Sequence, residues 1–175
     1  MKKILLTSTG FDNPNIKNKF LELLNKDTNV VKVLFIITAA IDPDAVRILS
    51  SCLEDLTKCG IKDNNVTVYD MHKLLSQEEL NEYDAIYVCG GSTKYLVSRI
   101  LELNIKPYID KYIENGGIYI GVSAGSVATS GKYPGGLGFI ENILDVHCEE
   151  GTDNGIINSN NDIFSAIPLF LIASL

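Results

Sequence analysis

The sequence predicts an α/β fold, a doubly wound three-layer sandwich around a mostly parallel sheet. Three observations carry that prediction. Short apolar runs alternate with segments of helical spacing along the chain. The runs are near-continuously apolar, as strands covered on both faces are. Strand and helix follow one another in turn, which with right-handed crossovers gives parallel pairing.

Each element has its own local signal. "KKILLTST" (Lys2 to Thr9) reads as a first strand, and "IKNKFLELLNK" after it has helical spacing. "VVKVLFIITAA" is a second strand. "DPDAVRILSSCLEDLTKCG" is a helix with Asp42 as cap, Pro43 in the first turn and Gly60 past the end. "NVTVYDM" is a third strand, and "SQEELNEY" is a short helical turn opening on Ser76. "YDAIYVCGG" is a fourth strand feeding the helix "STKYLVSRILEL". "IKPYIDKYIENGG" is a further helix, stopped by Gly116 and Gly117, and "GIYIGVS" is a fifth strand. Beyond Ser130, "GKYPGGLGF" and "NGIINSNNDIF" read as loops, "NILDVH" as a sixth strand, and "AIPLFLIASL" as one last strand.

The bulk numbers narrow the function class. At 175 residues and 46% hydrophobic content the chain reads as one domain, 1–175, with a sizeable core. A net charge of −7 and the lack of a basic run argue against nucleic acid or an anionic membrane as partner. "ILL" after Met1-Lys2-Lys3 is too short for a secretory core of roughly 7–15 apolar residues. "IPLFLIASL" falls short of the ~20 residues that span a bilayer. A cytoplasmic protein is expected, with Cys52, Cys59, Cys89 and Cys148 as reduced thiols. Two histidines and no clustered ligands leave no zinc or other metal site to expect.

One stretch carries chemistry. In "GGIYIGVSAGSVATS" a strand runs into a lone hydroxyl, Ser123, fenced by Gly121, Ala124, Gly125 and Ser126. Ligands of such sheets bind at the carboxyl ends of the strands. Gly121-x-Ser123-x-Gly125 is the pattern of a nucleophile elbow, a sharp strand-to-helix turn that lifts the hydroxyl out of the sheet. A β-carbon on either flank would crowd that turn, and "AGSVATS" would begin a helix at the nucleophile. The alternative is a glycine-rich turn with an incidental serine.

A serine nucleophile needs a base. His72, in "YDMHKLLS", reads as a surface or helix-start residue. His147, at the end of "NILDVH", lies downstream of the serine at a predicted strand end and is the favoured base. "CGGST" (Cys89 to Thr93) ends the fourth strand in a turn whose backbone N–H groups can face a neighbouring strand end. Gly91 N–H from that side and Ala124 N–H from the other would form an oxyanion hole.

"AIYVCGGST", then "YIGVSAGS", then a histidine together resemble the peptidase E family of serine peptidases, the aspartyl dipeptidases and their relatives. The resemblance runs from "KKILLTST" to about His147. It implies the flavodoxin-like sandwich of the class I glutamine amidotransferases, with serine in place of cysteine. It implies Ser123 as nucleophile, His147 as base, and Gly91 and Ala124 as oxyanion donors, with no cofactor. Ser92 stands where the family more often has Asn. The family's triad acid follows the nucleophile helix, but "SGKYPGGLG" holds no carboxylate, and Glu141 is the first acid after Ser123. Asp145 lies two residues before His147, side by side on the predicted strand and poorly placed to orient its ring, so Glu141 is taken as the third catalytic residue. The family also holds an acidic substrate side chain with a basic residue beyond the histidine, whereas no Lys or Arg follows Lys132 here. The chain looks short at its C-terminus for that family, and its apolar tail could pair in a homodimer. The expectation is a serine peptidase of small peptides. Its alternative is a catalytically impaired member that binds a small molecule or peptide.

Overall fold

Burial along the strands explains the two faces of the sheet. The computed structural model describes residues 2–146 and 163–166. Its strands are β1 (Lys3–Thr7), β2 (Val33–Ile36), β3 (Val66–Tyr69), β4 (Ala85–Val88), β5 (Ile118–Val122) and β6 (Ile163–Ala166). Successive side chains point to opposite faces. Leu5, Phe35, Tyr87 and Ile120 therefore join one buried cluster, while Ile4, Leu34, Ile86 and Tyr119 join the other. Both faces of β2, β4 and β5 are buried and apolar, so these segments carry no polar alternation, and all six strands pair in parallel.

The helices cover those faces. α1 (Pro14–Leu24) and α2 (Pro43–Lys58) bury Phe20, Leu24, Cys52 and Leu56 against the Leu5–Phe35–Tyr87 side. α3 (Gln77–Asn81), α4 (Thr93–Glu102) and α5 (Lys106–Glu114) bury Leu80, Leu96 and Ile113 against the other. The caps are local. Asp42 accepts from Asp44 N and Ala45 N behind Pro43, and Ser76 forms a capping box with Glu79. Gly60, at φ 88, follows the end of α2.

The strand order is β3-β2-β4-β5-β1-β6, the doubly wound, flavodoxin-like arrangement. From β2 the chain moves outward to β3, and from β4 it moves the opposite way to β5. The carboxyl ends of β2 and β4 thus flank the switch point at which such sheets bind ligands.

Two expectations for the C-terminal third need correction. Asn142 to Val146 form no strand. Leu144 and Val146 are buried while Ile143 and Asp145 are exposed, so the alternation that suggested a strand is real but serves only to bury side chains. A strand also needs an open edge, and the outer edge of β1 is taken by β6, paired from Ile4↔Ile163 to Thr7↔Ala166. Among the described residues the last strand is β6, which takes Ile163 and Phe164 from a segment read as a loop; apart from Ala166, "AIPLFLIASL" lies outside the described residues. The second correction is the helix after Ser123. It is a single turn, α6 (Ala124–Val127), too short to contribute much dipole.

Candidate functional site

Ser123 sits where β5 meets α6, at φ 47 and ψ −106. That backbone conformation is sparsely populated for a residue with a β-carbon and costs of order 1–3 kcal/mol. Packing on both flanks enforces it. A β-carbon on Gly121 would lie 2.7 Å from the Gly125 carbonyl and from Ser126 N. One on Gly125 would enter the carbonyl oxygen of Val88 at the end of β4. The two glycines of the elbow are thus required by close approach, as the pattern suggested.

A buried polar cluster ties the elbow to β1. Ser123 N–H donates to Thr7 O at 2.9 Å. Ser126 Oγ accepts from Thr7 N–H at 3.1 Å, and its own proton has Thr7 O and Gly121 O in reach at 2.8 and 2.7 Å. Tyr119 Oη–H donates to Gly125 O at 2.8 Å. Ser126 and Tyr119 are both essentially without solvent exposure. Sequence reasoning treated Ser126 only as a small neighbour of the elbow. The one available hint was a second hydroxyl three residues after the first.

The β4 turn lies directly against the elbow. A β-carbon on Gly90 would stand 3.2 Å from Ser123 Cβ. Gly91 follows at φ 131, with its β-carbon position occupied by the Ala39 carbonyl after β2. Ser92 N–H donates to that same Ala39 O at 2.8 Å. Among the described residues neither Gly91 N–H nor Ala124 N–H donates to a protein acceptor. Ser92, at the position where Asn is more usual, caps α4 by accepting from Tyr95 N at 3.2 Å.

The remaining predicted site residues have no part in the contacts above or lie outside the described residues. Glu141 is exposed, on the segment that follows the Ser130↔Ile140 bridge. His147 lies outside the described residues. His72 is exposed and bonded to Asp70, a surface histidine as expected. Among the described residues no group of three His, Cys, Asp or Glu stands close enough to hold a metal, and no helix is long and apolar enough to cross a membrane.

A cavity of about 290 Å³ opens beside Ser123. Its floor is Cys52 and Cys89, its lip is Ile48 and Leu49 of α2, and Gly90 and Gly91 run along one wall. Ser8 and Thr9 form another wall, on the loop that leaves β1. Asp55 anchors that loop to α2 by accepting from Phe11 N–H at 2.8 Å, and burial raises its carboxyl above the ordinary range. Cys52 and Cys89 touch each other. A hydrogen bond from Cys89 holds the Cys52 thiol below its ordinary value against the effect of burial, which pushes Cys89 far up.

This elbow sits inside a recognisable sequence unit. The profile of peptidase family S51 matches residues 4–133, which run from the second residue of β1 past α6 and include both turns. The chain belongs to peptidase family S51. It is 30% identical over 132 residues to the uncharacterised peptidase Lin0382 of Listeria innocua serovar 6a, covering 74% of this chain and 60% of that protein. The chain thus spans about three fifths of the length of the curated relative it matches. A crystal structure of a candidate peptidase E protein from Listeria monocytogenes EGD-e is 28% identical, with a TM-score of 0.60 over 74% of this chain and 63% of that one. A peptidase from an acI-B1 Actinobacterium, at 16% identity, shares the fold with a TM-score of 0.52, over 71% of this chain and 55% of that one.

Proposed function

We propose that the protein is a serine peptidase of small peptides, with Ser123 as its nucleophile. The observation that carries this reading is the strained Ser123 backbone, φ 47 and ψ −106, at the carboxyl end of β5 within the S51-matching segment. Strain of this kind persists where surrounding structure over-determines it, and here it turns the serine out of the strand line beside a cavity.

In this reading Ser123 Oγ attacks the peptide carbonyl carbon, and His147 takes the hydroxyl proton. The carbonyl oxygen becomes an oxyanion held by the N–H groups of Gly91 and Ala124. The C–N bond breaks as His147 returns the proton to the leaving amine. Water then hydrolyses the acyl-serine by the same route. Glu141 serves as the acid behind the imidazole. The sequence needs no cofactor or metal.

A second reading, a member that binds peptides without turning them over, draws on one observation: residues 130–138, directly after α6, carry no carboxylate. Loss of the orienting acid from a Ser-His-Asp triad costs ~10⁴ in kcat. A dipeptide panel separates the two. The folded chain should hydrolyse at least one member, and Ser123→Ala should abolish turnover by roughly 10⁶-fold, to background. No turnover above Ser123→Ala on any peptide would leave the binding reading.

A further inference from the structure

We infer that the cavity beside Ser123 is a side-chain pocket for an uncharged, apolar residue, and that Ile48, Leu49 and Cys52 set this preference. The inference rests on Ser123 acting on a peptide carbonyl, and it names the residue that supplies that carbonyl.

Position comes first. Ser123, Gly90 and Gly91 line the same cavity as Ile48, Leu49 and Cys52. A carbonyl between Ser123 Oγ and the Gly91 N–H therefore has its own side chain next to that cavity. The space of about 290 Å³ is near the lower end of the roughly 300–1,000 Å³ of small-molecule sites. It suits one side chain of medium or large size rather than an extended ligand.

Chemistry comes second. Aliphatic carbons, two thiols, hydroxyls and glycine backbone make up the lining among the described residues, and no Lys, Arg, Asp or Glu is among them. Cys52 and Cys89 are buried and act as small polarisable apolar groups. A carboxylate placed there would lose hydration without gaining a cation, a cost an apolar side chain does not meet. The lip is apolar as well. Ala45, Ile48 and Leu49 of α2 stand on it, and Ile48 is 56% exposed where a helix usually shows polar residues to solvent.

The walls are fixed, so the pocket does not have to form on binding. Asp55 holds the Ser8–Phe11 loop to α2 through Phe11 N–H, and Tyr87 Oη–H reaches the same carboxylate at 3.3 Å. Ala39 O, bonded to Ser92 N–H, sets the glycine wall.

The test varies the residue that supplies the attacked carbonyl. Dipeptides beginning with Leu, Met or Phe are compared with Asp-initiated ones, on the intact chain and on Ile48→Lys. Ile48 is exposed, so lysine there does not disturb the core. The chain should favour the apolar series in kcat/KM by about tenfold or more, and Ile48→Lys should shrink that ratio by about fivefold or more while raising the Asp series. Asp-initiated peptides cleaved as well as apolar ones, or a ratio unmoved by Ile48→Lys, would overturn the pocket assignment while leaving the peptidase reading intact.

Absence of any turnover would count against the peptidase reading, and a second measurement then decides the pocket alone. Cys52 is labelled with methyl methanethiosulfonate and its rate followed by peptide mass. Leucinamide should slow the labelling about fivefold or more at concentrations where aspartic acid amide slows it less than about twofold. Equal protection by the two, protection by neither, or a Cys52 that is not labelled in the native protein would each overturn the inference.

Discussion

Two turns leave the carboxyl end of the sheet side by side, and they reach positive φ by different means. After β4 the chain places a glycine, Gly91, at φ 131. After β5 it places a serine, Ser123, at φ 47. Glycine takes such angles without strain, so the β4 turn can bring its backbone against Ala39 at no conformational cost beyond entropy. Serine does not, so the β5 turn holds its angle against a strain of order 1–3 kcal/mol. A turn that offers only backbone N–H groups uses glycine. One that must offer a side chain accepts strain and relies on its neighbours, Gly121, Gly125, Ser126 and Tyr119, to hold it.

The largest effects should come from adding one carbon to either turn. In Gly91→Ala the methyl meets the Ala39 carbonyl and the backbone is strained as well, and in Gly125→Ala it meets the Val88 carbonyl. Each should lose about 3 kcal/mol or more of stability in urea unfolding. Gly138→Ala is the control. Gly138 has φ 72 but no atom within 4 Å of its β-carbon position, so it carries the conformational cost alone, about 1–2 kcal/mol. If Gly91→Ala and Gly125→Ala proved no worse than the control, close approach would not be what fixes the two turns.

How far the sequence spoke follows the same division between local and distant causes. Pro43 behind Asp42, Gly60 after α2 and the capping box at Ser76 are local signals, and the elements they bound stand where those signals put them. The tight turn at Ser123 was legible for the same reason, since Gly121, Ser123 and Gly125 sit within five residues. Ser126 was not, because its partner Thr7 is 119 residues away and meets it only once β1 pairs with β5. The cavity beside Ser123 was hidden likewise, as its lip comes from α2 and its floor from α2 and the turn after β4. Residues 142–146 misled because alternating burial does not by itself say which edge of a sheet is open.

A middle-sized effect should come from the tie between the elbow and β1. Ser126→Ala removes the acceptor of Thr7 N–H and the donor that Thr7 O and Gly121 O share, all of them buried. The expected loss is about 2 kcal/mol, a fall in Tm of about 4–8 °C for a chain of this size. Peptide turnover should fall with it even where the variant is fully folded, because Ser123 N–H is held to the same Thr7 carbonyl. A variant that loses stability but keeps full turnover would show that this cluster supports the fold and not the position of the serine.

The smallest effect is the sharpest measure of the contrast between the turns. Ser123→Ala and Ser123→Gly both remove the hydroxyl, so whatever Ser123 Oγ contacts cancels between them. Alanine keeps the β-carbon at φ 47 and ψ −106, and glycine releases it. At an unstrained position within regular structure glycine is the less stable of the two by about 0.5–1 kcal/mol. Here the order should invert, with Ser123→Gly more stable than Ser123→Ala by about 1 kcal/mol, or about 2–4 °C in Tm. Thermal unfolding of the two variants side by side reads that sign directly. An alanine variant as stable as the glycine variant, or more so, would mean that the elbow carries no stored strain and that the serine turn is held as cheaply as the glycine turn beside it.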